Sequence, residues 1–186
     1  MNNQINLRWV VLCLIIALAA ATRLIPHMLN FSPLGAIALF GAAHFKNKFQ
    51  AILIPVAATW LSDLFINNVI YAQYYPTLTW FYEGFYWQYG SYLLIGLAGM
   101  QIFKKVSVPR ILAGALSASF IFFIVSNFGC WVGSTFYSQD FLGLGMCYAA
   151  GIPFLKGTLL GDMVYTTVLF GGFVLIERKY LVAQRA

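Results

Sequence analysis

The basic residues of this chain stand in small groups beside the ends of apolar runs, and the groups alternate in a way that fixes a topology. Six apolar segments can be drawn: residues 7–25, 32–45, 49–66, 88–103, 108–127 and 157–176. If each crosses a bilayer, Arg8, Lys46, Lys48, Lys104, Lys105, Arg110, Arg178, Lys179 and Arg185 all fall on one side. Only Arg23 and Lys156 fall on the other. Short loops rich in Lys and Arg stay in the cytoplasm. Both termini are therefore expected to be cytoplasmic, with the 67–87 loop and the 129–156 stretch facing outward.

Composition supports lipid as the main solvent. Charged residues make up 9% of the chain, hydrophobic residues 61%, and the mean hydropathy is +0.80. A soluble domain carries roughly 25% charged residues. A span needs about 20 apolar residues, so the chain reads as a single integral membrane domain over residues 1–186, all-α, with about six helices. The net charge of +6 does not imply nucleic acid, because the basic groups border spans rather than form a stripe. Arg8, the apolar Trp9 to Leu18 and the small Ala19 to Ala21 resemble a secretory signal. With five apolar segments following, the segment reads as a retained first span.

Local signals mark the ends of the elements. Pro26 ends the first span. Ser32 and Pro33 suit an N-cap and a first helical position, and the second span is short. Pro55 suits a kink in the third. The rings of the 67–87 loop suit either an interfacial belt or a lid, with the belt favoured. The Gly-rich stretch from Gly129 to Gly151 reads as partly broken, with a short re-entrant helix at 141–150 and a break at Pro153.

No catalytic signature is present: no H-E-x-x-H, G-x-S-x-G, P-loop or dinucleotide glycine fingerprint. Without a P-loop the chain is not expected to hydrolyse ATP, and an enzyme is not expected. No cofactor is implied. Cys13, Cys130 and Cys147 have no metal-ligand spacing. Packing is favoured for each, against a soft-metal role for Cys130 and Cys147.

Polar residues at membrane depth carry the functional reading. Ionisable groups there are costly and face a partner or cavity. Arg23 ends the first span, and His27 would share its face if the helix ran on to Pro26. Asp63 ends the third span, Asn127 the fifth, and Asp162 lies about one turn inside the sixth, beside Thr158 and Thr166. With Asn30 and Trp131 they form a candidate small-molecule pocket near the outer face. Arg23 and His27 would be anion partners or donors, Asp63 and Asp162 acceptors, and Asn127 an orienting amide. The alternative is structural: an Arg–Asp pair tying spans together, or a helix-start charge at Asp162. Small residues Ala17, Ala21, Gly35 and Ala42 permit close helix approach, with internal packing favoured for each.

Several stretches resemble a known family: Thr22-Arg23-Leu24-Ile25-Pro26-His27, Asn30 through Gly41, Ser62-Asp63-Leu64, Asn127-Phe128-Gly129, and Pro153-Phe154 with Thr158 to Asp162. The chain resembles an uncharacterised family of small bacterial inner-membrane proteins assigned to transport. That family is similar to the substrate-binding S components of energy-coupling factor vitamin transporters. The resemblance implies a six-helix S-component-like bundle in the bacterial inner membrane. It also implies a vitamin-like micronutrient bound near the outer face, and a separate coupling membrane subunit with an ATPase module. Ala17 and Ala21 match, loosely, an alanine pattern that docks such a subunit. The competing expectation is an accessory or structural subunit of a larger membrane complex.

Overall fold

The computed structural model describes residues 7–181. Arg185, one of the basic residues used for orientation, lies outside them. The described residues are helical, without strands: α1 (Leu7–Ala21), α2 (Leu34–His44), α3 (Lys48–Phe65), α4 (Phe85–Ile102), α5 (Val108–Val132) and α6 (Phe141–Ile176). Short 3-10 turns follow α1 (Thr22–Leu24) and lie within the α3–α4 crossing (Ala72–Tyr74). Wider turns extend α3 (Ile66–Ile70) and α6 (Glu177–Leu181). Among the described residues, four helical segments are long and apolar enough to cross a membrane: Leu7–Leu24, Lys48–Ile70, Val108–Val132 and Phe141–Tyr180.

The short helix is the centre of the molecule. α2 has no polar face, and Leu34 through Gly41 are all buried. A helix apolar all round belongs inside a protein or bilayer, and α2 packs against all five other helices. Its small residues permit this. Pro55 and the Ala51 carbonyl of α3 occupy the space a Cβ on Gly41 would need, and Ala42 and Leu39 fill the space beside Gly99 of α4. At the His44 end, Phe40 meets Phe170 and Phe173 edge-on at 5.5 and 5.6 Å. The His44 ring stands 4.6 Å from Phe173.

With 11 residues, α2 rises roughly 17 Å at 1.5 Å per residue. That is about half of a hydrocarbon core. The space beyond its N-terminus is filled by the 22–33 link and by a cavity. Ser32 does not cap α2: the N-cap position is Pro33, and the Ser32 hydroxyl is buried without a hydrogen-bond partner.

Other boundaries also correct the sequence expectations. α1 stops at Ala21 rather than Ile25. Ile25 is extended, φ −89° and ψ 132°, as the residue before a proline must be. Arg23 and His27 therefore do not share a helical face. α5 runs on to Val132. The expected break at Pro153 and the re-entrant helix are absent: α6 is continuous for 36 residues, with Pro153 inside it. Asp140 starts α6 by accepting the Gly143 N–H at 2.8 Å, as Asn47 starts α3 by accepting those of Phe49 and Gln50. Ala17 and Ala21 are exposed, while Ala19 and Ala20 do the internal packing.

Candidate functional site

Two polar centres flank the space beyond the N-terminus of α2: the first lies where α1 and α3 finish and α4 begins, and the second, Asp162, expected one turn inside a span, lies midway along α6. In the first, Arg23 pairs with Asp63 at 2.7 Å and donates to the Ser62 hydroxyl at 2.5 Å. The Tyr89 hydroxyl of α4 donates to the other Asp63 oxygen at 2.6 Å. Both ion-pair side chains are largely buried, 15% and 8% exposed. The charges cancel and both carboxylate oxygens are satisfied.

The second centre is Asp162, only 3% exposed. Its carboxylate accepts from the Ser119 hydroxyl of α5 at 2.7 Å and lies against the backbone of Gly35, where a Cβ would collide with it. Among the described residues the ion pairs are Arg8–Glu177 and Arg23–Asp63, so Asp162 has no counter-charge. Thr166, one turn further along α6, and Ser32 both bury a hydroxyl oxygen without a partner. Buried polar groups normally find partners.

A cavity of about 440 Å³ opens between these centres. The 22–33 link supplies Arg23, His27, Asn30 and Ser32. The floor is Leu34 and Gly35 of α2, and the walls are Gln88, Tyr92 and Ile95 of α4, Phe122 of α5, and Thr158 and Asp162 of α6. Ile66, Ile70 and Tyr71 close one side. A smaller cavity of about 200 Å³ adjoins it, sharing Asn30, Gln88, Phe122 and Thr158 and adding Asn127, Cys130 and Gly151.

The link is seated on α6. Gly157 and Gly161 leave room for the Leu29 carbonyl and the Ser32 backbone, which is close approach through a small-xxx-small pair. The turn closes through Phe31 N–H to the Met28 carbonyl at 3.0 Å, with Asn30 at φ 58°. Asn tolerates that left-handed conformation better than most residues.

Of the residues picked out from sequence, Arg23, His27, Asn30 and Asp162 line the larger cavity, and Asn30 and Asn127 the smaller. His27 is exposed at the mouth. Asp63 lines neither and acts on the cavity through Arg23. Trp131 also lines neither; its indole N–H donates to the Ser138 carbonyl at 2.9 Å. Of the rings in the 67–87 loop, Tyr71 lines the larger cavity, while Tyr74 and Trp80 are exposed. Asn68 pins this loop, accepting from Thr79 N–H at 2.7 Å and donating to the Thr79 carbonyl at 2.9 Å. Within the loop, burial and the nearby Asp63 charge push the Tyr82 hydroxyl well above its usual range. Sequence reasoning passed over Ser119, Tyr89, Gln88 and Tyr92. Only their polarity inside apolar runs marked them. Among the described residues, no group of three or more His, Cys, Asp or Glu could hold a metal ion.

Residues 3–184 match the family described as Family of unknown function (DUF6580). The chain belongs to this family. The match takes in both polar centres, both cavities and every helix. No curated protein and no solved structure matches the chain.

Proposed function

We propose that the chain is a substrate-binding membrane protein that takes up a small micronutrient-like molecule through the larger cavity. The observation that carries this is the lone Asp162 carboxylate, buried in the wall of a cavity of about 440 Å³. That volume falls within the roughly 300–1,000 Å³ of small-molecule sites. A buried carboxylate without a counter-charge is costly. Arg23 is neutralised by Asp63, so Asp162 is the acidic group that the cavity presents without a charged partner. The ligand is a molecule with a cationic or strongly donating group facing Asp162 and an aromatic or apolar body against Tyr92, Ile95 and Phe122. Thr158 and Ser32 offer hydroxyls to its remaining polar atoms.

The setting proposed is the bacterial inner membrane, with six helices in the bundle and both termini cytoplasmic. α4 and α2 then complete the bundle begun by the four long apolar helices. Binding would occur from outside, and a tilt of the bundle would open the cavity inward. An S-component-like relationship supplies a role for the exposed Ala17 and Ala21 on α1: a small-residue face for a coupling membrane subunit, with ATP hydrolysed by a separate module. The accessory-subunit reading is favoured by one observation, the closed Arg23–Asp63 pair, which needs no ligand to be satisfied.

Native mass spectrometry of protein released directly from membranes tests the reading. The wild type is expected to carry a small-molecule adduct. Asp162→Asn, which keeps an acceptor for the Ser119 hydroxyl but removes the acidic group, is expected to lose it. Arg8→Gln, at the far end of the bundle, is expected to keep it. A wild type that emerges without adduct and bound to large membrane proteins would overturn the uptake reading in favour of an accessory subunit.

A further inference from the structure

The α5–α6 hairpin brings two of the three cysteines together. Cys147 of α6 is 2% exposed, and its thiol donates to the Asn127 carbonyl of α5 at 3.4 Å. Cys130, a free thiol as Cys147 is, stands three residues beyond Asn127 on the same face of α5, near enough to bear on the Cys147 thiol. One turn along α6, Gly151 packs against the Asn127 side chain, so 127 and 130 face 147 and 151 in register. Cys130 is exposed and borders the smaller cavity. Cys13 lies on α1 against the hydrophobic core.

We propose that Cys130 and Cys147 form a disulfide that staples the α5–α6 hairpin beside the ligand cavity. The proposal takes from the reading above only its orientation, which puts this end of the bundle on the outer side of the membrane. Disulfides persist on that oxidising side and are rare in the cytoplasm. The arrangement suits thiol–disulfide exchange, in which an accessible thiolate reacts first. Cys130, as thiolate, attacks the disulfide of an oxidised thiol–disulfide oxidoreductase. A mixed disulfide forms and one oxidoreductase thiol leaves. Cys147 gives up its proton and attacks the Cys130 sulfur, releasing the second oxidoreductase thiol. Two electrons pass to the oxidoreductase, which ends as a dithiol, and the protons from both cysteines end on its sulfurs. The closed ring spans the 133–140 connection and fixes the wall that carries Asn127, Cys130 and Gly151.

The test counts free thiols. Cells are quenched in acid, denatured and alkylated with a maleimide, with and without prior reduction. The chain has three cysteines. Without reductant the wild type is expected to take one label, on Cys13, and with reductant three. Cys130→Ser is expected to take two labels under both conditions, and Cys13→Ser none without reductant and two with it. Isolated membranes treated with oxidised glutathione read the geometry independently of the compartment. Three labels in unreduced cells would overturn the proposal whether or not glutathione closes the pair. One label in wild type that persists on a residue other than Cys13 would also overturn it. Maleimide accessibility of Gln73→Cys in a cysteine-free background reports sidedness separately, so a wrong orientation and a wrong pairing give different results.

Discussion

Asp63 sits where a single substitution separates pairing from ligand contact. Its carboxylate holds Arg23 at 2.7 Å and accepts from Tyr89 at 2.6 Å. Asp63→Leu leaves a guanidinium buried without its counter-charge. Breaking a buried pair from one side costs about 3–5 kcal/mol, whereas replacing both partners by apolar groups is often close to neutral. Thermal unfolding in detergent should therefore show a large fall in Tm for Asp63→Leu and most of it regained in Arg23→Leu/Asp63→Leu. A double variant as unstable as the single one would mean that the pair does not govern stability here. The charged members of this site were legible in the sequence because an ionised group in an apolar run has to be explained. Ser119 and Tyr89 were not. A hydroxyl inside a span bonds readily to its own helix, as Ser126 does to Phe122, and nothing in the sequence separates that from a bond across helices. Trp131 was assigned to the pocket from its place beside Asn127, but side chains four apart on α5 diverge when one reaches the loop and the other α6.

Glycine was the hardest signal to read at the level of elements. From sequence the 129–156 stretch reads as partly broken because glycine and proline both weaken helices. In the structure the same glycines set spacing: Gly129 lies under the Trp87 ring, Gly151 under the Asn127 side chain, and Gly143 under the Ser138 carbonyl. Pro153 is accommodated inside α6, as proline is in membrane helices whose freed carbonyls find other partners. Gly157 is the sharpest case, since a Cβ there meets the Leu29 backbone carbonyl, which cannot rotate away as a side chain would. Gly157→Ala is expected to destabilise by about 1–3 kcal/mol through overpacking, whereas Gly171→Ala, with open space around it, should be nearly silent. Equal Tm values for the two would remove the proposed seating of the link on α6. The start of α6 offers a pH test. The Gly143 N–H, then the Ser138 hydroxyl, hold the Asp140 carboxyl below its usual range. A depressed carboxyl lends its stability above the unfolded pKa and loses it as pH falls through the folded value. Amide exchange at 141–144 should accelerate as pH drops below about 4, relative to the intrinsic rate, and Asp140→Ala should abolish that dependence.

At the scale of the molecule, contacts sort the helix ends and charge chooses the sides. Arg8 pairs with Glu177 at 3.2 Å, so the start of α1 and the end of α6 share one end. Arg23, Asp63 and Tyr89 place the end of α1, the end of α3 and the start of α4 together at the other. Lys46, Lys48, Lys104, Lys105 and Arg110 then fall with Arg8. The two ends were legible from sequence because each basic group flanks an apolar run. The half-length α2 was legible only as a short run, since a central helix is recognised by what surrounds it. The absolute orientation rests on the charge bias and is open to direct measurement. In a cysteine-free background, Gln73→Cys should react with a membrane-impermeant maleimide in intact cells, and Lys105→Cys only after the membrane is opened. Gln73 sits in the α3–α4 crossing beyond the Arg23–Asp63 end, and Lys105 in the α4–α5 turn, so the two report opposite ends of one bundle. The reverse pattern would place the cavity mouth toward the cytoplasm. Uptake from outside would then fail as a reading, while the cavity and its lone carboxylate would still call for a ligand from within the cell.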